Sequence, residues 1–106
     1  MSDFIAVTIT TATEAEAGRI ADALIQEKLA ACVTILPGAR SLYRWEGEIC
    51  NESEVVMMVK TRMQKFEGLK QLVRTLNSYS CPCIVATPIT TGYQPYLDWL
   101  KTETTP

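Results

Sequence analysis

The chain contains no histidine among its 106 residues. That absence removes the commonest general base and the imidazole metal ligand, so no Ser-His or Cys-His pair can be assembled. Glycine and proline number five each and are scattered. They form neither a low-complexity linker nor a Gly-rich phosphate loop, and no internal repeat accompanies them. No apolar run approaches the roughly 20 residues of a membrane-spanning helix. The opening MSDFIAVTIT places an acid ahead of its apolar run and lacks the basic start of a secretory signal, so it reads as a mature first strand. Strong charge of either sign is missing too. A formal net charge of -2 and a pI near 5.1 give no sequence-wide attraction for nucleic acid or for an anionic membrane. A cytoplasmic home is expected, with the four cysteines as reduced thiols, because their spacing is no disulfide framework.

What is present is ordinary for a globular protein: 47% hydrophobic and 21% charged residues in 11.8 kDa, enough for a single domain over 1–106. The chain is organised around EKLAACVTILPGARSLYRWEGEICNESEVVMMVK, Glu27 to Lys60. Two apolar arms, Ala30 to Leu36 with Ser41 to Trp45 and Val55 to Lys60, flank the polar segment Glu46 to Glu54, which is a hairpin signature. Pro37-Gly38 interrupts the first arm and predicts a bend or bulge there. In the second arm Val55, Met57 and Val59 alternate with Val56 and Met58, so both faces are apolar and both need cover. One chain of this size cannot supply it, which predicts an oligomer held through the hairpin.

Around the hairpin the pattern is regular. Phe4 to Thr10 alternates as a strand, and Thr13 to Glu16 fits a capping box in which the Thr hydroxyl accepts from the Glu16 amide and Glu16 reaches back. A helix follows, with Ala17, Ile20 and Leu24 on one stripe and Gly18 expected to permit close approach to the sheet. A second helix is predicted from Met63 to Leu76, a fourth strand from Cys81 to Ile89, and a short helix from Tyr93 to Lys101. The order β-α-β-β-α-β plus a terminal helix is the ferredoxin-like, α+β arrangement, with two helices on one face of an antiparallel sheet.

These residues resemble the CutA family, named for divalent cation tolerance. The matching stretches are Glu27 to Ile49, the VKT at Val59 to Thr61, Tyr79 and Pro82 of NSYSCPCI, and PYLDWL at Pro95 to Leu100. The resemblance covers nearly the whole chain and implies a compact, non-enzymatic homotrimer involved in divalent metal ion, notably copper, tolerance, with an architecture similar to the PII signalling proteins. It also implies the alternative of a PII-like signalling or structural scaffold that binds a small anionic ligand or a protein in the cleft between subunits. Where the family usually reads His-Pro-Tyr-Glu-Val-Pro-Glu-Ile, this chain has Asn77 to Ile84, and Ile9 stands where some copper-binding members carry a cysteine. A copper site on those positions does not carry over.

The candidate residues follow from local chemistry. Cys81 and Cys83 flank Pro82, and in an extended segment residues two apart share a face, so two thiolates could meet a soft ion such as Cu(I). The competing and weightier reading is a pair of small, protonated, buried side chains. Cys32 reads as core and Cys50 as a residue of the polar turn. Glu46, Glu48, Glu52 and Glu54 crowd the hairpin tip, where solvation outweighs the collection of hard cations. Tyr43 and Trp45 suit anchoring of a trimer interface more than ligand stacking. Lys60, Arg62 and Tyr79 are placed near the inter-subunit cleft, although ion pairing is the plainer role for the two cations. Acylphosphatases share this topology, but their Gly-rich loop is absent, so no enzymatic activity and no required cofactor are expected.

Overall fold

A computed structural model of the chain describes residues 3–106; Met1 and Ser2 lie outside it. The elements are β1 (Phe4–Thr11), α1 (Glu14–Gln26), β2 (Cys32–Trp45), β3 (Glu48–Arg62), a single 3-10 turn (Met63–Lys65), α2 (Phe66–Leu76), β4 (Ile84–Pro88) and α3 (Gln94–Glu103). The strands form one antiparallel sheet in the order β2-β3-β1-β4. This is the α+β, ferredoxin-like arrangement that the hydrophobic periodicity predicts.

The core follows from strand alternation. Ile5, Val7 and Ile9 point to one face, where the register sets them against Thr61, Val59 and Met57, and all six are buried. Ala17, Ile20 and Leu24, one stripe of α1, and Leu69 and Val73 of α2 close over them. The Thr13 hydroxyl accepts from the Glu16 amide at 3.1 Å, as a capping box requires. The Glu16 carboxylate is turned to a different task and accepts from the Ser78 amide at 3.2 Å. Gly18 is not the point of close approach: a Cβ there would meet nothing within 4 Å. That role falls to Gly68 of α2, where a Cβ would lie 2.9 Å from a methyl of Leu29.

The hairpin is longer than its apolar arms suggest. Glu46 and Gly47 have φ of 49° and 83°, the two consecutive positive values of a tight two-residue turn whose twist matches the strands. Pairing therefore runs down to Trp45 and Glu48, and the residues expected in a polar loop, Cys50 and Glu52 among them, are strand residues. The register slips between Leu36 and Ala39, which is the bulge expected at Pro37-Gly38. The fourth strand is shorter than predicted, beginning at Ile84, so Cys81, Pro82 and Cys83 precede it.

The second face of the sheet is largely open. Thr34, Met58, Thr8 and Val85 form one row across it by register, and Met58 and Val85 are 41% and 56% exposed. Of the described helices only α3 reaches this side, at the Lys60 to Arg62 end, where Tyr96 lies beside the Cys32 thiol. Arg62 fastens it: its Nε donates to Thr104 Oγ1 at 2.9 Å, and its Nη2 donates to the Thr104 carbonyl at 3.2 Å and to Thr105 Oγ1 at 3.3 Å. Asp3 stands 3.7 Å from the same guanidinium. Replacing Arg62 by Met removes several charge-assisted bonds from a buried position and is expected to cost about 2–3 kcal/mol in chemical denaturation. Hydrogen exchange should then speed up selectively in 94–104; uniform or absent acceleration would show that α3 is held by other contacts.

Candidate functional site

Strand parity decides what the hairpin presents. Along β2 and β3 the register pairs Trp45 with Glu48, Tyr43 with Cys50, Ser41 with Glu52 and Ala39 with Glu54, and each pair shares one side of the ribbon. That side carries two aromatic rings and three carboxylates. The other side carries Arg40 and Arg44 with Leu42, Ile49, Asn51 and Ser53. Arg40 donates to Asn51 across the strands at 2.9 Å. The two signs of charge are thus segregated onto opposite faces of one ribbon.

The segment after α2 folds toward the acidic, aromatic side and is fixed by backbone bonds. The Asn77 amide closes the helix on Val73, and its side chain donates to the Thr10 carbonyl at 3.1 Å and accepts from the Tyr79 amide at 2.9 Å. Glu16 holds the Ser78 amide, and the Cys83 thiol lies 3.9 Å from the Thr8 carbonyl. Between this segment and the hairpin is a cavity of about 320 Å³ lined by Thr10, Tyr43, Trp45, Glu54, Tyr79, Ser80, Cys81 and Cys83.

The cavity therefore unites the cysteine pair, Tyr43 and Trp45, and Tyr79. Lys60 and Arg62 do not line it. Lys60 pairs with Cys32 and Ala6 at the far end of the sheet, and Arg62 is committed to the C-terminal residues. Cys81 and Cys83 are exposed, whereas Cys32 and Cys50 are half-buried. Cys32 is not a core residue, because it opens the edge strand on the face away from α1 and α2. Thr10 and Ser80 are the lining residues that sequence reasoning missed, while Glu54 had been read as a solvated residue of the hairpin tip and Glu16 and Asn77 had no part assigned in the site. The Glu46-Gly47 dipeptide was the available signal, since a two-residue turn there carries Glu54 to the side of Tyr43 and Trp45 by parity alone.

Negative charge dominates this cavity. Burial, followed by hydrogen bonding and charge from Glu54, pushes the Tyr79 phenol well above its usual range. Partial desolvation, then Cys50 and the carboxylates Glu52 and Glu54, raise Tyr43. Burial first and Glu54 second push the Cys83 thiol up, holding its proton. Among the described residues no three Cys, Asp or Glu side chains gather as a metal centre would require. Two thiols on one wall fit the contact of a soft ion with two ligands.

With this geometry in view, comparison with known proteins is direct. The family described as CutA1 divalent ion tolerance protein matches residues 5–103. The divalent-cation tolerance protein CutA of Thermus thermophilus is 48% identical over 98 residues, 92% of this chain and 95% of that protein. The chloroplastic protein CutA of Arabidopsis thaliana is 43% identical over 99 residues, 92% of this chain and 54% of that protein. Among solved structures, the divalent cation tolerance protein Cut A1 of Thermus thermophilus superposes with a TM-score of 0.94 at 46% identity, covering 96% of this chain and 99% of that one. CutA of Xylella fastidiosa gives 0.95 at 36%, covering 98% and 100%.

Protonated Tyr79 and Cys83 have titration consequences of definite sign. Both groups hold their protons more tightly folded than unfolded, so the stability they confer is complete below their unfolded titration range and falls as pH rises through the folded one. Thermal melting between neutral and strongly alkaline pH is expected to show that fall, and Tyr79→Phe should flatten it; an unaltered slope would place Tyr79 away from Glu54. Replacing Glu54 by Gln should also lower the Cys83 titration and speed its alkylation at mildly alkaline pH by about two- to five-fold, with burial keeping the change modest.

Proposed function

The chain belongs to the CutA1 divalent ion tolerance family, and we propose that it serves metal-ion tolerance as a non-catalytic cytoplasmic homotrimer that meets soft ions such as copper at Cys81 and Cys83. The observation that carries this reading is the meeting of both thiols on one open wall of a cavity beside the two-faced hairpin. Polarizable sulfur selects soft ions over the hard ones that carboxylate oxygens prefer. Because Cys83 holds its proton, ion capture there releases one, and uptake should weaken as the pH falls.

Support for assembly comes from the ribbon and the open sheet. Met58 and Val85 on the uncovered face, and Leu42 and Ile49 at 68% and 69% exposure on the other side of the hairpin, are large apolar side chains that a neighbouring copy would cover. The acidic, aromatic side of one hairpin complements the side with Arg40 and Arg44 on a second copy. A contact between two different faces of identical chains is head-to-tail, the kind that closes as a ring when the rotation between copies is a simple fraction of a turn, one third for a trimer. Tyr43 and Trp45, 42% and 47% exposed in the single chain, are the anchors that a neighbour would cover. The absence of histidine supports a non-catalytic role. A binding site for a small anion gains no support at the cavity, since neither Lys nor Arg lines it.

Native mass spectrometry of the reduced protein, titrated with Cu(I) without oxygen, tests the thiol contact. Copper bound in proportion to chains and lost in Cys81→Ser/Cys83→Ser is the expected result; no uptake, or equal uptake by the variant, overturns it. Replacing Trp45 by Ala is expected to destabilise the assembly by about 2–4 kcal/mol, lowering its melting temperature and its mass in solution. An unchanged melt and mass would remove this strand from the interface.

A further inference from the structure

We propose that the cleft between the last turns of α2 and residues 79–82 is a binding site for a phosphate group, either the free ion or one carried on a small organic body. The inference goes beyond metal tolerance and rests on neither the thiols nor the assembly, because no residue of the hairpin, of the cysteine pair or of the open sheet face lines this cleft.

Helical spacing supplies one wall. Leu69 and Val73 of α2 turn into the core, which leaves Gln71, Arg74 and Thr75, three and four residues apart, together on an exposed flank. The other wall is Tyr79, Ser80 and Pro82. Its backbone is held before any ligand arrives, since Glu16 accepts from the Ser78 amide and Asn77 from the Tyr79 amide. The space between the walls is about 240 Å³, below the range of drug-sized ligand sites and ample for a tetrahedral anion.

Sign and donor chemistry set the ligand class. The lining holds one cation, Arg74, and neither Asp nor Glu. Among the described residues the ion pairs join Arg62 to Asp3 and Lys70 to Glu67, so Arg74 is left without an acid. Its guanidinium is a planar fork of N–H donors that fits two oxygens of one phosphate at once. The Gln71 amide beside it and the Ser80 hydroxyl opposite are donors for the remaining oxygens. The Thr75 hydroxyl is already spent on the Gln71 carbonyl, to which it donates at 2.9 Å. Carbonyl oxygens at the end of α2 oppose an anion, so Arg74 carries most of the attraction and the binding is weak. A metal ion or an organic cation would meet the guanidinium, and the chiefly polar walls offer little to an apolar ligand.

Inorganic phosphate and glycerol 3-phosphate, each titrated into the reduced, full-length protein at constant ionic strength held with sodium chloride, separate recognition from screening. Heteronuclear NMR would follow the Arg74 Nε–H and the Gln71 side-chain amide. Phosphate should shift both to saturation with a dissociation constant on the order of a millimolar, and chloride alone should shift neither. Arg74→Gln should weaken binding at least about tenfold, and Arg74→Lys, which keeps the charge and loses the fork, by about threefold. Gln71→Leu serves where Arg74→Gln alters the fold. Tighter binding of glycerol 3-phosphate assigns the site to a phosphate monoester, and tighter binding of inorganic phosphate assigns it to the free ion. Cys81→Ser/Cys83→Ser should bind as the wild type does, so failure of copper uptake leaves this site standing. Equal shifts with chloride, unchanged affinity in both Arg74→Gln and Gln71→Leu, or no shift up to tens of millimolar of either probe overturns the proposal.

Discussion

A strand with apolar residues on both faces, in a chain whose two longer helices pack on one, is the constraint on which this structure turns. Val55, Met57 and Val59 of β3 are sealed beneath α1 and α2, while Val56 and Met58 face the other way and Met58 is left exposed. Burial of each such side chain is worth about 1.5–3 kcal/mol. The uncovered face is therefore unspent driving force on the scale of the net stability of a small domain. The α3 helix covers one end of it only, and Arg62 is buried to hold it there through Thr104 and Thr105. The rest of the face, continuous with the hairpin, is surface for a neighbour under the proposed assembly.

The same parity that creates this constraint builds the candidate site. A two-residue turn at Glu46-Gly47 fixes the register, the register places Glu48, Cys50, Glu52 and Glu54 beside Tyr43 and Trp45, and the bulge at Pro37-Gly38 restores the pairing at Ala39. A one-residue slip would exchange this side for the one carrying Arg40 and Arg44, reversing the charge of the cavity wall. The opposite wall depends on quite different contacts. Glu16 and Asn77, from the start of α1 and the end of α2, hold the backbone that carries Tyr79 to Cys83. Site and fold are thus joined through the helix termini.

Much of this was legible in the residues alone. Alternation in Phe4 to Thr10 and Val55 to Lys60, the 3-4 spacing of Ala17, Ile20 and Leu24, and the breakers Pro37-Gly38 and Asn77-Ser78 dictate the element order. Fold class and family follow from that order and from the long motif at Glu27 to Ile49. What escaped was governed by partners distant in sequence. Glu16 belongs to a capping box by local rule, yet its carboxylate finds Ser78, 62 residues away. Arg62 was placed near the inter-subunit cleft with ion pairing as its plainer role, and its buried bond to Thr104, 42 residues on, was not foreseen. Gly18 was assigned a packing role that belongs to Gly68, because glycine in a helix does not announce which face it occupies. Cys81 and Cys83 were read as strand residues, and β4 starts just after them, so their shared wall comes from the cavity and not from strand alternation.

Sedimentation equilibrium of the reduced wild-type protein, from micromolar down to the lowest detectable concentration, tests the central claim most directly. The account predicts one species at three times the 11.8 kDa chain mass, persisting on dilution because the open sheet face and the hairpin are buried between copies. A species at 11.8 kDa that still melts cooperatively would contradict it, showing that one chain is stable with an apolar sheet face turned to water.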